Sequence, residues 1–158
     1  MLTDSELVVD HALTVDADAR KAGRVVLTAP QKDAAVALAA VNADWTPPDF
    51  SFSSGLLALD FSSLYAGRIS PVSKPFFSGS VSGSFADPAL TDSPYTVDLA
   101  YLSPGRMFTG LRKSPRISDL ATLHTAYASE ASGAEGVKGH FATGSGWAVL
   151  LPFHLPFH

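Results

Sequence analysis

The 158-residue chain contains no cysteine, which excludes disulfides, zinc–thiolate sites and cysteine nucleophiles while leaving the compartment open. Charge is scarce as well. Charged residues make up 16% of the chain, and 11 Lys plus Arg against 15 Asp plus Glu give a net charge of −4. The basic residues are scattered except for Arg112, Lys113 and Arg116, so nucleic acid is not an expected partner. No apolar run is long enough for a membrane-spanning helix. Met1 is followed by Leu-Thr-Asp-Ser-Glu, which is neither a basic region nor an apolar one, so no signal peptide begins there. There is no internal repeat, and strands do not alternate with long helical patterns, which disfavours a parallel α/β sheet.

What remains is a chain with 46% hydrophobic residues, too apolar for disorder and long enough to bury a core. Residues 1–158 are read as a single domain. The abundance of Ser, Thr, Ala and Gly beside few Lys matches a segment of a secreted bacterial protein. An extracellular location is therefore expected, with the targeting signal upstream. The apolar tail from Phe153 to His158 reads as cut rather than finished.

Period-two alternation dominates. Leu13, Val15, Ala17 and Ala19 oppose Thr14, Asp16, Asp18 and Arg20, and after a turn at residues 21–24 Val25, Leu27 and Ala29 lead to Pro30. This reads as a hairpin. Leu7 to Val9 is a candidate first strand, and Ala34 to Val41 leans to strand despite its alanines. Residues 42–52, with Trp45, Pro47 and Pro48, read as a loop, Gly55 to Phe61 as a strand, and residues 62–71 as a loop. The clearest alternation sets Phe77, Gly79, Val81, Gly83 and Phe85 against four serines. Glycine on an apolar strand face points to a bulge or to another backbone packed close. Tyr95 to Tyr101 is a further strand, turned back by Ser103-Pro104-Gly105. Residues 119–131 fit either a helix or a strand, with strand preferred, and Trp147 to Phe153 is a last strand. Short strands separated by Gly, Pro, Ser and Asp predict an all-β antiparallel sandwich, Ig-like or fibronectin-like.

Candidate chemistry is thin. Gly79-Ser-Val-Ser-Gly83 has valine where a nucleophile elbow needs serine, and it lies within a strand. Asp16 and Asp18 lack the glycine turn and closing glutamate of a calcium loop, and read as a solvated strand face. His154 and His158 are separated by Pro156, which removes the helix their spacing would need. His124 and His140 stand alone. No catalytic residue, metal site or cofactor is expected. Aromatic rings with a polar edge make Trp45, Trp147, Tyr65 and Tyr101 candidate binding residues, the basis for an alternative reading as a carbohydrate- or surface-binding module.

The phrases from Leu2 to Asp10 (LTDSELVVD), Leu13 to Ala22 (LTVDADARKA) and Val25 to Pro30 (VVLTAP), with Asp119 to Leu123 (DLATL), Tyr127 and Gly133 further on, resemble the region after the catalytic domain in secreted subtilisin-like serine peptidases of actinobacteria. Ala17, between two aspartates, departs from the family phrase. The Gly-Thr-Ser-Met-Ala-like phrase that carries the family's serine is missing. The resemblance implies a non-catalytic accessory β module that positions protein substrate or packs against the peptidase catalytic domain, with neither nucleic acid nor membrane as a partner.

Overall fold

The computed structural model describes residues 1–89, 93–126, 133–141 and 148–154, the two C-terminal strands by their backbone alone. The chain is mostly β. Among the described residues the strands are β1 (Leu2–Thr3), β2 (Gly23–Leu27), β3 (Ala35–Trp45), β4 (Phe52–Ala58), β5 (Tyr65–Arg68), β6 (Phe77–Ala86), β7 (Thr96–Pro104), β8 (Leu111–Lys113), β9 (Glu135–Phe141) and β10 (Ala148–His154). One four-stranded sheet has the order β4-β3-β6-β7, a second has the order β1-β5-β2-β8, and β9 pairs with β10.

The β3–β6 ladder is the spine of the first sheet. Ala43 faces Gly79, Val41 faces Val81 and Ala39 faces Gly83, while a bulge between Val36 and Leu38 realigns the ladder so that Val36 meets Phe85. The β-branched and aromatic residues of this face meet Val25, Leu27 and Ala66 of the second sheet in one core, together with Phe61, Leu64 and Met107 from the connecting segments. The two glycines on this face serve close approach. A Cβ on Gly79 would lie 3.0 Å from Met107 Sδ and 3.1 Å from its Cα, and one on Gly83 would lie 2.9 Å from the Phe61 ring. Gly79 thus admits backbone, whereas Gly83 admits a ring.

The antiparallel expectation holds in the first sheet and fails in the second. There β1 runs parallel to β5 and β2 parallel to β8, with only β2–β5 antiparallel. The expected hairpin over residues 13–30 is also absent. Residues 12–18 form no strand, Ala19–Lys21 is a 3-10 turn, and β2 pairs with β5 and β8 instead. Alternation there has no partner to face, since Leu13 and Val15 are 44% and 43% exposed.

Local chemistry accounts for the break. The Asp18 carboxylate accepts the Arg20 backbone N–H at 3.1 Å and the guanidinium at 2.8 Å and 3.0 Å, and this closes the chain into a turn. Asp18 is therefore a cap rather than one of two idle carboxylates on a strand face. The side-chain bond from Arg20, followed by its backbone N–H, holds the Asp18 carboxyl below its ordinary value. A depressed folded-state pKa means that the cap's stabilisation is present above the ordinary aspartate value and is lost as pH falls through the lowered one. An NMR titration is expected to find Asp18 below the model-peptide value, and Arg20→Ala to raise it part of the way back, since the backbone N–H of residue 20 remains. A variant that left the titration in place would remove Arg20 as the cause.

Other boundaries shift for similar reasons. Leu7 to Val9 is exposed and outside any strand, while the first strand is Leu2–Thr3. Strand β3 runs on to Trp45 and β4 starts at Phe52, so the loop between them spans only residues 46–51. Tyr65–Arg68, within an expected loop, is β5. Residues 120–126 are neither helix nor strand, and a 3-10 turn at Ile117–Asp119 precedes them; residues 127–131 lie outside the described set. The strand expected over residues 147–153 corresponds to β10.

Candidate functional site

Strand β7 is the outer strand of its sheet, and its central residues form one wall of a cleft of about 540 Å³. The opposite wall is Lys113 at the end of β8, Ser114, Pro115, Asp119 and Leu120. Leu99 and Tyr101 point to the core side of β7, and Asp98 and Ala100 to the other side. All four line the cleft, so it follows the edge of the strand rather than one face. Among the described residues no strand pairs with that edge.

Short-range bonds fix the far wall. Thr28 N–H donates to the Lys113 carbonyl at 3.0 Å and ties the end of β8 to the chain leaving β2. Beyond Pro115, the Arg116 N–H donates to Asp119 Oδ2 at 2.9 Å and the Asp119 N–H to the Arg116 carbonyl at 3.0 Å. This reciprocal pair makes the turn that carries Asp119 and Leu120 to the cleft. Leu120 and Tyr101 are half-buried against the core. The Lys113 ammonium lies over the Tyr101 ring at 5.7 Å from its centroid, within cation–π range. On the near wall, the Ser84 hydroxyl donates to Asp98. The cleft thus combines an aromatic ring, a cation and two carboxylates beside a strand edge.

The other residues expected to bind do not join Tyr101. Trp45 is half-buried, edge-on to Phe77 at 5.0 Å and tilted against Phe52 at 5.5 Å. Tyr65 is exposed on β5 in the other sheet. Among the described residues no ring contact links Trp45, Tyr65 and Tyr101, and Trp147 lies outside the described set. The sequence named Tyr101 as a candidate binding residue but not Lys113, Asp98 or Asp119, which line the same cleft. The cluster Arg112, Lys113 and Arg116 was visible as charge but carried no hint of the ring it would meet.

Ser80, Ser82, Asp16 and Asp18 are not among the residues that line this cleft. Ser80 is fully buried on the side of β6 away from the shared core, where Asn42 Nδ2 donates to its Oγ at 3.5 Å. Among the described residues no three His, Asp or Glu side chains gather to hold a metal, and no helix is long and apolar enough to cross a membrane. His124 is exposed, and His158 lies outside the described set. No family model, curated protein or solved structure matches this chain.

Proposed function

We propose that the chain is a non-catalytic accessory module of a secreted subtilisin-like serine peptidase, and that it positions polypeptide substrate along the free edge of β7. The observation that carries this reading is the cleft, with a strand edge that no other strand pairs among the described residues, flanked by Tyr101, Lys113, Asp98 and Asp119. An extended peptide adds to such an edge through main-chain hydrogen bonds, while side pockets select its residues. In this reading the two four-stranded sheets pack face to face as a sandwich of Ig-like or fibronectin-like kind. The core drawn from both sheets supports that arrangement. The sequence resemblance supplies the peptidase context.

The test pairs the isolated chain with a subtilisin-like catalytic domain and denatured casein. The chain alone is expected to leave casein uncut, to bind it with added hydrogen-exchange protection over Thr96–Pro104, and to lower the peptidase KM. Tyr101→Ala is expected to abolish most of that KM effect. Casein hydrolysis by the chain alone would overturn the non-catalytic reading, and unchanged protection over β7 would overturn substrate positioning.

A further inference from the structure

Strand β4 is the opposite outer strand of the same sheet, and its surface differs in kind from that of β7. Residues 50–59 read Phe-Ser-Phe-Ser-Ser-Gly-Leu-Leu-Ala-Leu, without a charge or a proline. Phe50, Phe52, Leu56, Leu57 and Leu59 are 62%, 56%, 44%, 49% and 77% exposed. Phe52 stands opposite Trp45 and Leu56 opposite Val41, on the core side, while Leu57 stands opposite Ala40 on the other side. The shared core therefore reaches β4 only through Ala58, and both faces of the strand offer apolar side chains to water.

Edges of this kind are normally protected by charge, proline, a bulge or a covering segment. Strand β7 has two of these devices, Asp98 within it and Pro104 at its end. Strand β4 has none, for its register with β3 is unbroken from Phe52 to Ala58, and among the described residues no strand pairs with its other edge.

We infer that β4 is the dimer interface of this chain, pairing antiparallel with β4 of a second copy about a two-fold axis. Continuing the sheet across the axis sets the apolar side chains of each face beside those of the second copy and covers part of the roughly 500 Å² that the five expose per copy, so the expected dimer is a small-interface, weak one. Main-chain hydrogen bonds between the edges add to this. A strand antiparallel to itself is self-complementary, as a closed two-fold interface requires. The uncharged stretch places no like charges opposite each other within the ladder. Asp49 at one end comes near the partner's Asp60, and the same holds at the other end, so salt screens the repulsion and strengthens association.

Sedimentation of the full chain over the micromolar range tests this. The expected result is a monomer–dimer equilibrium that shifts towards dimer with added salt, and a dissociation constant raised about tenfold or more by Leu57→Lys, which places a charge in the apolar contact. Leu57 is exposed, so circular dichroism and thermal unfolding of dilute protein should not change. Single cysteines at Ser53, Ser54 and Gly55 give an independent reading, because the chain has no cysteine of its own. Facing Cα atoms in an antiparallel pair lie about 4.5–5.5 Å apart, within disulfide reach, so at least one variant should form a covalent dimer on mild oxidation. A wild-type chain that stays monomeric, or a dimer indifferent to Leu57→Lys with no cross-link at any of the three positions, would overturn the inference. Neither outcome bears on peptide binding at β7.

Discussion

Replacing Phe77 by alanine is expected to lower the unfolding free energy by about 3–5 kcal/mol, the range for truncating a buried aromatic ring. Phe77 opens β6 and is 2% exposed. Its ring meets the edge of Trp45, its backbone N–H donates to the Lys74 carbonyl at 3.0 Å, and its carbonyl accepts the Gly105 N–H at 2.7 Å. With the backbone pinned on both sides and Trp45 braced by Phe52, the neighbours have little freedom to collapse into the space left behind. That lack of relaxation places the cost at the upper part of the range for core truncations. Phe52→Ala is the control, because Phe52 also touches Trp45 but is 56% exposed. Measured in dilute protein, its cost should be about 1 kcal/mol or less. Equal shifts of the denaturant midpoint in the two variants would show that burial does not separate them.

The strand holding Phe77 was also the most legible part of the sequence. Five apolar or glycine positions against four serines left one register, and that register is the one adopted, with the glycines marking close approach by Met107 and Phe61. The stretch from Leu13 to Arg20 alternates almost as well and forms no strand. Alternation states which residues would share a face; it says nothing of whether a neighbouring strand is there to pair. A local competitor, the Asp18–Arg20 turn, decided the outcome. Strand β5 was illegible for the opposite reason. Tyr-Ala-Gly-Arg is four residues with almost no apolar contrast, and its place depends on β1 and β2, which are distant in sequence. The parallel pairs were equally hidden, since β1 has two residues and β8 has three. At the site, Tyr101 could be named from its strand, but its pairing with Lys113 exists only because the turn at Gly105 and Gly110 brings β8 back past β7.

That return path gives the second large effect. Gly23 begins β2, and a Cβ placed on it would lie 2.8 Å from the Thr109 carbonyl oxygen and 2.9 Å from Gly110 N and Cα. Gly110 has φ +77°, and its own Cβ would lie 3.0 Å from Gly23 Cα and C. The obstruction is backbone in both directions, so no rotamer change relieves it. The Gly110 N–H donates at 3.0 Å to the carbonyl of Ala66, which stands opposite Gly23 in the β2–β5 ladder. One methyl group here therefore strains three segments and the parallel pairing of β8. Gly23→Ala is expected to cost about 1–3 kcal/mol, as overpacking does. Gly110→Ala adds about 1–2 kcal/mol for a left-handed backbone to a steric cost of the same kind. Gly133→Ala separates the two contributions, because Gly133 has φ +75° with nothing within 4 Å of its Cβ position, so it should lose only the conformational part. The Gly23→Ala/Gly110→Ala double variant should cost less than the sum of the single variants, since one outward shift of the turn accommodates both methyl groups. Denaturant unfolding of the four variants checks this set. Strict additivity of Gly23→Ala and Gly110→Ala, or a Gly110→Ala no worse than Gly133→Ala, would mean that the two glycines are not held against each other.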